Sequence, residues 1–204
     1  MLGCAVALVL LMDVSASVSD AEWVKQRDGT AEAFSHPAIQ RTIENLDGGI
    51  AVKVLAFGGK AEVVVPWHTV KSAEQANTLS AKIKSVPRRV QIATEIGWAL
   101  DMASDQFATA PCVPERKVID ISTDGITSQI PTQEARDRAQ KSQITVNAIG
   151  VGTNAEIETF LRDHTITEDG FAVISEGWDD FALAIRRKII REIAGPTIIY
   201  WLRT

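Results

Sequence analysis

Cysteine is scarce in this chain: Cys4 and Cys112 are the only two among 204 residues. Two cysteines cannot build a disulfide scaffold, and no Cys-x-x-Cys spacing exists for zinc or thiol redox chemistry. Histidine is equally thin. His36, His68 and His164 are scattered over predicted turns and helix ends, lack metal-ligand spacing, and are expected in surface or capping roles. Gly-x-Ser-x-Gly, P-loop and His-Glu-x-x-His motifs are all missing, which removes common hydrolase and nucleotide-binding signatures. Basic charge is in deficit, with 21 Lys and Arg against 26 Asp and Glu, a net charge of −5 and a pI near 5.3. A nucleic-acid binder needs a basic face to release counterions, and an anionic membrane asks for the same sign, so neither partner is expected. Long apolar runs are missing too. The longest, Ala5 to Met12, cannot cross ~30 Å of hydrocarbon. It has neither the basic flank nor the small-residue cleavage site of a signal peptide, and reads instead as a strand. The chain is therefore read as a mature or trimmed form whose export signal lies outside it.

What is present is an ordinary globular composition, 46% hydrophobic and 23% charged, with length enough for one domain and a sizeable core. Apolar strand-like runs alternate with helical stretches, the pattern of an α/β fold with a largely parallel sheet. Strands are predicted at 5–12, 50–57, 61–67, 117–123, 144–151 and 171–175. Helices are predicted at 20–34, 37–45, 72–85, 94–107, 131–142 with Pro131 at its first position, 154–164 and 179–194, the last stopped by Gly195-Pro196. Only Gly58-Gly59-Lys60 separates the second strand from the third. Three residues cannot hold a parallel crossover, so these two strands must form an antiparallel hairpin. The expected architecture is a Rossmann-like open sheet of six strands, five parallel and one antiparallel, with helices on both faces. The apolar tail 196–204 is expected to pack on the body or on a partner.

Asp13-Val14-Ser15-Ala16-Ser17 directly follows the first strand. A carboxylate and two alternating hydroxyls are hard oxygen ligands of the kind Mg²⁺ takes. Asp124-Gly125 follows the fourth strand, and Thr94 opens the helix that leads down before it. Ligands of open α/β sheets bind beyond the carboxyl ends of the strands, so all five oxygen-bearing side chains are expected at one edge. Taken singly, Asp-x-Ser-x-Ser and Thr94 read as helix caps and Asp124-Gly125 as a turn.

These residues carry a resemblance. Asp13-x-Ser15-x-Ser17, Thr94 within Ala93-Thr94-Glu95-Ile96-Gly97-x-Ala99-Leu100, and Ser122-Thr123-Asp124-Gly125 resemble a von Willebrand factor type A domain with its metal-ion-dependent adhesion site. The likeness runs from Ala5 to Ile193. More narrowly, Leu11-Met12-Asp13-Val14-Ser15, Gln26-Arg27-Asp28-Gly29, Val65-Pro66-Trp67 and Val118-Ile119-Asp120-Ile121-Ser122 are similar to a bacterial subfamily of unknown function, often exported. The resemblance implies that Asp13, Ser15, Ser17, Thr94 and Asp124 hold Mg²⁺ (or Mn²⁺ or Ca²⁺), some directly and some through water. It also implies that a protein partner's exposed Asp or Glu completes the coordination, which makes the chain a binding domain rather than an enzyme. One departure stands out: Ile92-Ala93 precede Thr94 where many relatives have two glycines, so the loop is stiffer and Thr94 is expected to act through water. The alternatives are a Mg²⁺-dependent phosphohydrolase attacking through Asp13, which would want a second carboxylate where Ser15 stands, and a structural module with a vestigial site.

Four further expectations concern buried or clustered groups. Asp120 lies inside the fourth strand and Asn147 at a comparable height on the fifth. They are read as a buried polar pair, or else as support behind the metal. Cys4 and Cys112 precede the first and fourth strands. The implied fold makes those strands neighbours, so the pair is either a disulfide, favouring the periplasm or exterior, or two buried thiols. Arg186-Arg187-Lys188 and Arg191 read as a solvated face near a helix end. Trp67, Trp178 and Trp201 read as core or groove fillers, whereas Trp98, one turn into its helix, is placed to rim the metal face.

Overall fold

Strand β1 (Gly3–Asp13) is buried from Cys4 to its end and forms the spine of the molecule. The computed structural model describes residues 2–195, so Trp201 and the apolar tail lie outside the described residues. After β1 come α1 (Asp20–Ser35), α2 (Pro37–Glu44), β2 (Ile50–Phe57), β3 (Ala61–Val70), α3 (Ala73–Lys84) and α4 (Ile96–Gln106). The second half holds β4 (Val113–Thr123), α5 (Gln129–Lys141), β5 (Ile144–Val151), α6 (Ala155–Phe160), β6 (Ala172–Ser175) and α7 (Phe181–Ala194).

The six strands lie in the order β3-β2-β1-β4-β5-β6. β3 runs antiparallel to β2 and every other neighbouring pair is parallel, as the short Gly58–Lys60 connection requires. The chain leaves β1 towards β2 and later returns to β4 on the other side, so the reversal of strand order falls between β1 and β4. That crevice is where an open α/β sheet receives its ligand.

Alternation along the strands divides the core. Leu8, Leu10, Met12 and Val118 face α1, α2, α3 and α7 through Trp23, Phe34, Ile43, Leu79, Phe181 and Ile185. Val9, Leu11, Ile119 and Ile121 face α4, α5 and α6 through Ile96, Leu100, Ala135 and Phe160. Each such side chain taken out of water contributes on the order of 1.5–3 kcal/mol, offset largely by chain entropy.

Several boundaries moved. β4 begins at Val113 rather than 117, and α5 begins at Gln129, so Pro131 occupies its third position, still within the first turn where no N–H is required. The helix expected from Thr94 begins at Ile96 with Glu95 as a cap that makes no side-chain hydrogen bond. The Glu95 N–H donates instead to the Gly58 carbonyl at 2.8 Å, which ties this loop to the β2–β3 turn and keeps Thr94 outside the helix. The stretch expected as one helix over 154–164 is α6 followed by a π-helical turn, Leu161–Thr165. At the lower edge, Cys4 and Cys112 are joined in a disulfide.

Candidate functional site

Asp13 is the last residue of β1 and is fully buried. Its backbone is held by Gln26 of α1, which is itself fully buried. The Asp13 N–H donates to Gln26 Oε1 at 3.0 Å, and Gln26 Nε2 donates to the Asp13 carbonyl at 2.8 Å. One side-chain amide thereby satisfies both peptide groups at the strand end, which burial would otherwise make costly. The Asp13 carboxylate is held from two segments. The Ser15 N–H donates to Oδ1 at 2.7 Å, and the Thr123 hydroxyl at the end of β4 donates to Oδ2 at 2.6 Å.

From there the polar groups run outwards in a chain. Ser15 Oγ and Ser17 Oγ are 3.0 Å apart, and Ser17 Oγ donates to Asp124 Oδ1 at 2.7 Å. Asp13 and Ser15 are buried, Thr94 and Asp124 are half-buried, and Ser17 is exposed. Thr94 Oγ1 comes within 3.9 Å of where a Cβ on Gly125 would stand. Residues from β1, β4 and the loop before α4 therefore meet at the switch point, as expected. Asp120 and Asn147 do not join them: neither hydrogen-bonds any of the five.

Two features fix the loops. Arg88 donates to the carbonyls of Ser15 and Val18 and pairs with Asp20, clamping the serine turn from the segment before α4. Gln91 bridges to Ser15 as an isolated parallel pair, its N–H donating to the Val14 carbonyl at 3.1 Å. Gly97 matters because α4 and α5 touch there. A Cβ at this position would sit 2.7 Å from the Pro131 carbonyl oxygen, so this close approach of α4 to the start of α5 admits no side chain.

The electrostatics are unbalanced in one direction. Burial pushes the Asp13 carboxyl above its usual range despite its hydrogen bonds, and the Asp124 charge adds to the rise. Burial raises Asp124 as well, with Glu22 contributing. Among the described residues no basic side chain is one of the groups that shift either carboxyl. Two carboxylates and neighbouring hydroxyls without a counter-charge are a donor set that suits a hard divalent cation. Among the described residues no group of three or more His, Cys, Asp and Glu is arranged to hold a metal, so an ion here would depend on the hydroxyls. As for nucleophilic attack, both Asp13 oxygens are engaged by protein donors, and Ser15 stands where an acid/base carboxylate would be wanted.

Asp120 and Asn147 are register partners on β4 and β5, on the opposite face of the sheet from the side chains of Ile119, Ile121 and Thr123. Their link is indirect. Lys188 Nζ lies 2.5 Å from Asp120 Oδ1 and 2.5 Å from Glu192 Oε1, and Asn147 Nδ2 donates to Glu192 Oε1 at 3.0 Å. The Asp120 and Asn147 side chains are both buried, joined through Glu192 and Lys188 rather than to each other, and neither hydrogen-bonds the five candidate ligands. Of the basic cluster read as a solvated face, Arg187 and Arg191 are exposed and Arg186 half-buried, with the Arg191 guanidinium 3.6 Å from the centroid of the Phe171 ring; Lys188 alone departs from that reading, its side chain being wholly buried. The reason is helical spacing: Phe181, Ile185, Lys188 and Glu192 share the stripe of α7 that meets the sheet. Burial and the Asp120 charge push Glu192 up to about 8. Among the described residues Asp120 Oδ2 and Glu192 Oε2 have no donor, and a proton on Glu192 neutralises the cluster and supplies one.

Gln26, Thr123, Arg88, Lys188 and Glu192 were not singled out from the sequence for these roles. A signal existed for three of them: Gln26, Lys188 and Glu192 are polar residues on otherwise apolar helical stripes, a placement that demands a buried partner.

The family described as "Protein of unknown function (DUF1194)" matches residues 3–197. The chain belongs to this family. No curated protein matches it. Among solved structures it is similar to proximal thread matrix protein 1 from the mussel byssus, in a form "with zinc occupied MIDAS motif", at 19% identity and a TM-score of 0.75, covering 95% of this chain and 48% of that one. It is also similar to the hypothetical protein BatB from Bacteroides thetaiotaomicron, at 18% identity and a TM-score of 0.60, covering 93% of this chain and 99% of that one. The vWF domain of the type V pili tip protein Mfa5 from Porphyromonas gingivalis matches at 13% identity and a TM-score of 0.63, covering 93% and 95%. The chain spans about half the length of the mussel protein. At these identities the likeness shows the fold, and that fold is the von Willebrand factor A type.

Proposed function

We propose that this DUF1194 domain is a divalent-cation-dependent protein-binding module of the adhesion or scaffold kind. The observation that carries this reading is the hydrogen-bonded chain Asp13–Ser15–Ser17–Asp124, with Thr94 beside it and, among the described residues, no basic side chain that shifts its two carboxylates. Asp13, Ser15, Ser17, Thr94 and Asp124 would hold Mg²⁺, Mn²⁺ or Ca²⁺. The ion supplies a net positive charge with an exchangeable position, to which an Asp or Glu of the partner binds. The protein's own residues do the rest. Gln26 and Thr123 hold Asp13 in place, Arg88 holds the serine turn, and the three outer side chains face solvent or are only half-buried. The zinc-occupied motif of the mussel protein and the pilus-tip origin of the Mfa5 domain support a cation-binding, adhesive reading. The Cys4–Cys112 disulfide favours an oxidising compartment such as the periplasm or cell exterior.

The test is direct. Metal-depleted protein is titrated with Mn²⁺ while free Mn²⁺ is followed by its paramagnetic resonance signal. One site per chain is expected, lost in Asp124→Ala, with glutarate binding only to the loaded protein. If all Mn²⁺ stays free, or glutarate binds equally in chelator, the reading is wrong.

A further inference from the structure

Exposed large apolar side chains are unevenly spread over this domain. Of the ten among the described residues, five belong to the segments around the candidate cation site: Val90, Ile92, Trp98, Ile126 and Ile130. Ile92 is 95% exposed and Trp98 57%. Their neighbours place them. Val90 and Ile92 flank Gln91, which pairs with Ser15. Trp98 follows Gly97, whose close approach to Pro131 brings the first turn of α4 against the start of α5, next to Ile130. Ile126 lies two residues beyond Asp124 and lines a groove of about 470 Å³ whose walls mix Ala155 and Phe160 with Gln129, Glu156, Thr159 and His164.

None of these five side chains packs in the two main core clusters, so the fold does not account for them. Exposed large apolar side chains gathered in the segments that border a polar site are the surface feature that marks contact sites. Trp is also the residue type that most often anchors interfaces. Apolar contacts around a charge-assisted bond exclude water from it and strengthen it.

We propose that the partner offers its acidic group from an apolar segment: one Asp or Glu with a bulky aliphatic or aromatic residue directly beside it, the acid meeting the ion and the neighbour lying on Trp98 and Ile92 or entering the groove below Ile126. Charge complementarity sets the acid, since a cation between Asp13 and Asp124 calls for one anion. The surrounding side chains set its neighbours. This rests on the cation-dependent reading above and specifies the partner that reading leaves open.

The probe is a displayed library of random peptides, selected on the Mn²⁺-loaded protein and eluted with EDTA. The enriched peptide is then synthesised and its affinity measured by fluorescence anisotropy on wild type, Ile92→Ser and Trp98→Ser. Ile92 is almost wholly exposed, so its substitution leaves the fold intact, which circular dichroism checks. Enriched peptides are expected to carry an acid next to Leu, Ile, Phe or Trp. Each substitution should weaken binding about tenfold with Mn²⁺ affinity unchanged. Acids flanked by polar residues, no EDTA-eluted enrichment, or losses under about twofold would overturn the apolar collar while Mn²⁺ binding stood. Apolar peptides that hold in EDTA would overturn both readings, because no ion would then be positioning them.

Discussion

Asp13→Asn removes the charge at the base of the candidate site and keeps its shape. In the wild type, Oδ1 accepts from the Ser15 N–H and Oδ2 from the Thr123 hydroxyl. An asparagine keeps the first bond through its carbonyl. It replaces the second by donating from Nδ2 to Thr123 Oγ1, whose own hydrogen can turn to the Gly125 carbonyl 3.4 Å away. The hydrogen-bond count is therefore conserved. Charge acts oppositely with and without the ion. In chelator the Asp13 carboxylate is disfavoured by burial and by Asp124, so the neutral variant should be as stable as wild type or more so. With the cation bound, wild type gains about 2.7 kcal/mol at one hundred times the dissociation constant. For a chain of this size that is about 5–10 °C in midpoint, taking about 2–4 °C per kcal/mol. The variant should lose most of this gain, so the order of stability reverses when Mg²⁺ is added. Thermal denaturation followed by circular dichroism, in Mg²⁺, Mn²⁺, Ca²⁺ and EDTA, reads the crossover. If no cation raises the wild-type midpoint, or if both proteins shift equally, Asp13 does not serve an ion.

Glu192 sets a pH dependence. Its folded-state pKa is raised to about 8, so the folded protein binds the extra proton; the contribution of Glu192 to stability is fully present below the ordinary glutamate range and is lost as pH rises through about 8. Urea unfolding across this window should show the fall, and Glu192→Gln should flatten it. Lys188→Met leaves Asp120 and Glu192 buried without their cation, and should cost about 3–5 kcal/mol at neutral pH; an effect within experimental error would mean that water reaches the cluster. Gly97→Ala forces α4 away from the Pro131 carbonyl, with an expected loss of about 1–3 kcal/mol in urea and, because Thr94 lies just ahead of α4, weaker Mn²⁺ binding. Reducing the Cys4–Cys112 bridge, which spans 108 residues of sequence, should lower stability by about 4–5 kcal/mol on the chain-entropy estimate, measured in urea with and without dithiothreitol.

Fold and site were legible to different depths. The strand limits 50–57 and 144–151 were read correctly because mostly apolar runs, broken only by Lys53 and by Thr145 and Asn147, with turn residues at both ends specify largely buried strands. The hairpin followed from loop length alone. Thr94 was misread as a helix start because a threonine before an apolar-periodic stretch is a local capping signal, whereas the bond from Glu95 to Gly58 that delays the helix comes from a turn far away in sequence. Lys188 was misread for a related reason. A lysine among arginines on a helix is ordinarily solvated, and only two carboxylates brought to the same spot make its burial tolerable.

The sequence by itself determined the alternation of strands and helices, the antiparallel β2–β3 pair, and the identity of five oxygen-bearing side chains at strand ends and loops, because each depends on spacing within a short stretch of chain. Only the tertiary structure decided how those groups connect: that Gln26 closes the end of β1, that Thr123 rather than Asp120 supports Asp13, and that Arg88 clamps the serine turn. It also decided that Asp120, Lys188, Glu192 and Asn147 form a separate buried cluster behind the opposite face. Apart from the i,i+4 pair Lys188–Glu192, these contacts join residues 13 to 110 positions apart, and their geometry exists only once the strands and helices have packed.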